Sequence, residues 1–266
     1  MHLRPLVLAA AVAACTTPPA SVQIGRLDPA AFDPPRAATS LPPAPLACIG
    51  PAQPTTPEAR IAACTAALAS SQHSPGLQTT LYRIRSALLA DRRDLPGALA
   101  DAEAALRLDP TSLVALLQRG EIRHRMGDDP GALADYNEVI ARMPTVGGAY
   151  LLRAAVHARN NRHALALADA NQAVALLPTA PNPLLMRGYV LHRAGRLPAA
   201  IADLDQAVTI APTRADIRNE RGLAHVRAGN RRLALADFAE AARLDPTRLA
   251  YVENLRIAEA AGSARR

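Results

Sequence analysis

The sequence predicts an all-α protein, an α-solenoid of tandem helix hairpins. Two observations carry that prediction. Prolines recur at 110, 144, 178, 212 and 246, each 34 residues after the last. The apolar content is mostly alanine and leucine, with no tryptophan, two phenylalanines and five tyrosines. A core of such small side chains requires close backbone approach, which favours helices over sheets.

Taking each of these prolines as the same position divides the chain into five units: 79–112, 113–146, 147–180, 181–214 and 215–248. Position 8 is small in all of them: Ser86, Gly120, Ala154, Gly188 and Gly222. Position 20 is alanine throughout, at Ala98, Ala132, Ala166, Ala200 and Ala234. Small residues in these columns belong where two helix axes come closest. The pattern predicts a first helix over positions 2–14 and a second over 17–30. Gly127, Gly195 and Gly229 at position 15 are placed to end the first helix in the left-handed conformation. Pro96, Pro130 and Pro198 at position 18 fit the opening turn of the second, where a missing N–H costs nothing. A single hairpin cannot bury its own apolar face, so the units must stack.

A 34-residue period with these columns resembles the tetratricopeptide repeat (TPR) family, and the resemblance covers 79–248 without an insertion. It implies a right-handed solenoid that binds peptides or proteins along the face of its first helices. The family's aromatic columns are thinned. Position 4 keeps only Tyr82 and Tyr150, and position 11 holds Leu89, Arg123, His157, Leu191 and His225. The two histidines read as packed replacements for tyrosine.

Two charged columns run in register. Position 7 is Arg85, Arg119, Arg153, Arg187 and Arg221; position 23 is Asp101, Asp135, Asp169, Asp203 and Asp237. Opposite charges recurring together on partner helices predict a ladder of ion pairs. The alternative is that the arginines face a ligand.

The resemblance also carries over groove positions. Position 5 supplies Leu117, Leu151 and Leu185 as an apolar floor. Position 9 supplies Glu121 and Tyr189, and position 13 supplies Arg125, Arg159, Arg193 and Arg227. Such a surface suits an extended segment with apolar anchors and acidic groups. The plainer reading of position 13 is a cation favoured by the end of a helix dipole. The lysine and asparagine clamp with which some TPR domains hold chaperone C-termini is absent.

At the N-terminus, residues 1–15 read as a secretory signal. His2 and Arg4 precede the apolar run Leu6–Ala14, which is too short to span a bilayer. Val12-Ala13-Ala14 before Cys15 resembles the lipobox of bacterial lipoproteins, which implies acylation of Cys15 and tethering to the outer membrane. The alternative is ordinary cleavage near Ala14 and a soluble periplasmic protein. Residues 16–57 are rich in proline and poor in large apolar side chains, as expected of an extended tether. Cys48 and Cys64 then remain as a pair, and export makes a disulfide between them the default. Segments 58–78 and 249–266 read as terminal capping helices, the latter burying Leu249, Val252, Leu255 and Ile257.

The charge balance argues against nucleic acid as partner. Residues 79–248 hold 23 arginines against 18 acids, interspersed, with few aromatics for stacking. No catalytic motif, phosphate loop or metal-ligand spacing emerges, so the sequence points to no enzyme and no cofactor. The expectation is a protein-binding adaptor of the bacterial envelope. The alternative is a structural component of a secretion or outer-membrane assembly complex.

Overall fold

The structure, a computed structural model, describes residues 43–50, 56–70 and 72–263. The signal segment, Cys15 and most of the proline-rich stretch lie outside the described residues. Thirteen helices and no strand occur among the described residues, in agreement with the all-α class. They are α1 (Pro43–Ile49), α2 (Pro57–Leu68), α3 (Pro75–Asp91), α4 (Leu95–Leu108), α5 (Leu113–Met126), α6 (Asp129–Arg142) and α7 (Gly147–Arg159). There follow α8 (His163–Leu176), α9 (Pro181–Arg193), α10 (Leu197–Ile210), α11 (Ala215–Arg227), α12 (Arg231–Leu244) and α13 (Leu249–Ser263). The chain divides within α7 into two compact units, one running to Leu152 and one starting at Arg153.

The second helix of every repeat spans positions 17–30, the range that the periodicity predicts. The turn before it is equally regular. Position 15 is left-handed in all five repeats, not only at the three glycines: φ is 64° at Arg93 and 56° at Asn161, against 90° at Gly127. The hairpin geometry therefore imposes αL on whatever residue stands there, at a cost that glycine avoids.

Position 8 meets position 24 across each hairpin, and their sizes are complementary. A Cβ added to Gly120 would lie 2.5 Å from Cε1 of Tyr136, and one on Gly222 would lie 2.6 Å from Cε1 of Phe238. Gly188 faces Leu204 in the same way. Where position 8 carries a side chain, as Ser86 or Ala154, position 24 shrinks to Ala102 or Ala170. The fixed gap between the helices is thus filled from one side or the other, as close packing demands.

In the unit ending at Leu152, the first repeat is covered by α1 and α2. Cys48 and Cys64 form a disulfide, both fully buried with Ala67 and Leu81, and Leu77, Ile84 and Leu88 pack against them. Helix α1 corrects the expectation that 16–57 is wholly an extended tether. The disulfide and the apolar side chains beneath it give Pro43–Ile49 a surface on which to fold. The boundary at 78 also moves, because Ser74 accepts a hydrogen bond from the Leu77 N–H and Pro75 opens α3. The first repeat's leading helix is a turn longer for that reason.

In the unit starting at Arg153, α13 covers the last hairpin; Leu255 packs against Phe238 and Ala258 as expected, but the rest of the buried face is shifted. Tyr251, Asn254 and Ala258 are buried, whereas Leu249 is 81% and Val252 is 41% exposed. Residue 249 falls one period after 215, so α13 sits in the place of a sixth first helix. It buries positions 3, 6 and 10, the same as Ile217, Glu220 and Ala224 of α11. Asn254 donates to the Asn219 side chain at 2.8 Å and Arg231 to the Ala258 carbonyl at 2.9 Å, which fixes that register.

Replacing Cys48 and Cys64 by serine should cost about 3 kcal/mol in the chain-entropy estimate for a loop of this size. The loss should appear as lower denaturant resistance and faster amide exchange in α1–α3, with α9–α12 unaffected.

Candidate protein-docking face

The strongest electrostatic feature is the ladder between the two helices of each repeat. Arg85 donates Nε–H and Nη2–H to the two carboxylate oxygens of Asp101, both at 2.7 Å. The same two-pronged contact joins Arg119 to Asp135, Arg153 to Asp169, Arg187 to Asp203 and Arg221 to Asp237. All five aspartates are buried. These hydrogen bonds, partly opposed by burial, push the guanidinium groups of Arg85, Arg119, Arg187 and Arg221 above their ordinary value. The third nitrogen reaches the preceding second helix in two repeats: Arg187 Nη1 to Asn171 and Arg221 Nη1 to Asp205. Position 7 therefore ties its own hairpin together and the hairpin before it. These arginines are consumed by the fold.

In three of the five repeats position 11 adds a second basic side chain beside the same aspartate. Arg123 donates to Asp135 at 3.0 Å, and the ring nitrogens of His157 and His225 stand 3.9 Å from Asp169 and 4.0 Å from Asp237. The two histidines are packed, as expected, and they also face a carboxylate. Burial pulls the His157 imidazole below its ordinary value, with Asp169 opposing.

The position-5 leucines do not form an accessible floor. Leu117, Leu151 and Leu185 are each 2% exposed and belong to the core. They sit on the inward side of the first helices, so no added segment can rest on them. Tyr189 is also buried, at 8%, and its hydroxyl is pushed up by that burial, with Glu220 adding and Arg193 opposing. Glu121 is exposed yet crowded by surrounding protein, which raises its carboxyl against the pull of Arg125.

Position 13 combines both readings given to it. Arg125 donates to the Ala90 carbonyl at 2.5 Å, and Arg227 donates to the His192 carbonyl. Each thus caps the C-terminus of the preceding first helix, where freed carbonyls need donors. Arg159 and Arg193 end α7 and α9 half-buried. Arg159, Leu185, Tyr189, Arg193 and Arg227 belong to the unit from Arg153, and Leu117, Glu121, Arg125 and Leu151 to the other. Cys15 lies outside the described residues.

One buried pair escaped the sequence reading. His192 Nδ1 lies 3.0 Å from Glu220 Oε1, and both side chains are about 6% exposed. The signal was present as an acid at position 6 following a histidine at position 12. Among the described residues, no three His, Cys, Asp or Glu side chains gather as a metal site, and no helix is long and apolar enough to cross a membrane.

Two family profiles match this chain: one described as tetratricopeptide repeat over residues 125–181 and one as TPR repeat over 188–229. The hairpins within these two stretches are tetratricopeptide repeats. Solved TPR structures are similar in fold. A thermophilic TPR protein of Thermus thermophilus superposes with a TM-score of 0.62 at 22% identity, covering 68% of this chain and 98% of its own. MamA of Desulfovibrio magneticus RS-1 gives 0.54 at 22% identity, covering 64% and 97%. YrrB, described as a TPR protein with an unusual peptide-binding site, gives 0.50 at 20% identity, covering 71% and 96%. Among curated proteins nothing matches.

Changing Asp135 to Asn leaves Arg119 and Arg123 without their shared buried carboxylate. That should cost about 3 kcal/mol, read as a fall in unfolding free energy. An unchanged denaturation midpoint would contradict the structural role of the ladder.

Proposed function

We propose that this protein is a non-catalytic TPR adaptor of the bacterial cell envelope that holds a peptide or partner protein bearing acidic groups. The observation that carries the proposal is the row of position-13 arginines Arg159, Arg193 and Arg227 in the unit starting at Arg153, on a fold shared with YrrB, which is described as having a peptide-binding site. Arginine forks recognise carboxylates in pairs and with fixed geometry. With the position-5 leucines buried, recognition rests on these cations rather than on an apolar floor. Envelope location and a lipid at Cys15 are supported by the leader sequence and by the disulfide, since such bonds persist in oxidising compartments.

The adaptor reading is tested by crosslinking pull-down from envelope extracts. Arg159→Glu with Arg193→Glu should abolish recovery of the partner while leaving helical content unchanged, whatever small loss of melting temperature follows from an anion at a helix C-terminus. Recovery at wild-type level would refute the role of these arginines. In the same fractions, Cys15→Ser should move the protein from membrane to soluble material.

A further inference from the structure

The chain's net surplus of arginine over acid equals the arginine content of three turns. The turns that join first to second helices in the unit from Arg153 are RNNRHA (159–164), RAGRLP (193–198) and RAGNRR (227–232). They contain seven arginines and no acid. The formal charge of the whole chain is +7, so the remainder carries as many acids as arginines. The corresponding turns of the first two repeats, DRRDLP and RMGDDP, hold as many acids as arginines or more.

The difference extends to the helix caps. Asp94 and Asp128 accept hydrogen bonds from the Gly97 and Gly131 N–H groups at the start of α4 and α6. At the same position α8, α10 and α12 have Arg162, Arg196 and Asn230, and none makes a side-chain cap. Two of the three later repeats thus have a cation, where the first two repeats have an acidic cap, at a site where the dipole disfavours one.

Most carboxylates of this unit are committed away from the edge. Its buried aspartates hold the position-7 arginines, Glu220 faces His192, and Asp216, Glu240 and Glu253 pair with Arg214, Arg243 and Arg256. Arg162, Arg196 and Arg232 are exposed.

We infer that this turn edge, residues 159–164, 193–198 and 227–232, is a docking surface for an acidic protein segment with apolar side chains between its carboxylates. The inference rests on the adaptor reading and names where such a partner lies. Repeating hairpins place the three turns side by side, so each offers arginine to one stretch of an extended segment. Leu165 and Leu233, 51% and 46% exposed, lie just inside the second helices behind the cations and supply the apolar contacts. Nucleic acid fits less well, because Tyr189, Phe238 and Tyr251 are buried and leave no ring on which a base can stack. A bilayer also fits less well. The turn tips hold Asn160, Asn161, Ala194, Gly195, Ala228 and Gly229, with no large apolar side chain to insert.

The test uses the full chain and a labelled peptide of alternating Glu and Leu, read by fluorescence anisotropy. Arg162→Glu/Arg196→Glu/Arg232→Glu should weaken binding at least tenfold and flatten its salt dependence, with circular dichroism unchanged. Arg107→Glu/Arg243→Glu/Arg256→Glu, an equal charge change at exposed positions elsewhere, should leave binding within twofold. Equal loss in both triples would overturn the surface, as would peptide binding too weak to measure. Tighter binding of a single-stranded DNA oligonucleotide, or of phosphatidylglycerol vesicles, would reassign the edge to that class. Peptide binding at this edge beside a failed pull-down would leave the edge standing and sink the envelope adaptor instead.

Discussion

The distance between the two helices of a hairpin is the constraint on which the structure depends. It is set at positions 8, 20 and 24, where the residues at 8 and 24 share one gap between the helices. Gly120 admits the ring of Tyr136, Gly222 admits Phe238, and Ala154 lies opposite Ala170. Because interiors pack like crystals, a repeat cannot enlarge one member of such a pair without shrinking the other. That spacing places the guanidinium of position 7 against the carboxylate of position 23, and a two-pronged ion pair then holds the orientation. The scarcity of aromatics is compatible with this arrangement. Alanine at position 20 lets the backbones approach, and the paired charges add direction to contacts that small apolar groups leave unspecific.

Much of this was legible in the sequence. The proline period set all five second helices to the residue, and the two charged columns announced the ladder. The pairing of Cys48 with Cys64 followed from cysteine count and the expectation of export. What was missed has physical causes. Column 8 by itself shows only that its residues are small; the compensation in size needs column 24 beside it, 16 residues on, as in Gly120/Tyr136 and Ala154/Ala170. Helix α1 lies in a stretch too rich in proline to fold by itself; its order comes from a disulfide and from the apolar face of α3. The inward face of α13 follows from its place as a sixth first helix, which overrides the apolar stripe of Leu249 and Val252.

The candidate site was legible as residue types and less so as surfaces. Position-5 leucines were carried over as a floor, yet the hairpin uses them as core. Position 13 proved to be a capping position, in which Arg125 and Arg227 satisfy carbonyls of the preceding repeat. A repeat protein draws its structural and its recognition groups from the same columns. Only the partners around a side chain tell the two uses apart, and for Arg125 and Arg227 those partners lie 35 residues away.

A double-mutant cycle on Gly222 and Phe238 measures the spacing constraint most directly. Gly222→Ala alone should destabilise by about 2 kcal/mol through overpacking, and Phe238→Ala alone by about 3 kcal/mol through a cavity. The combined variant recreates the alanine pair of the third repeat, so it should lose about 1 kcal/mol less than the sum, or better. Strictly additive losses would contradict the account, because they would mean that the two positions do not share one gap.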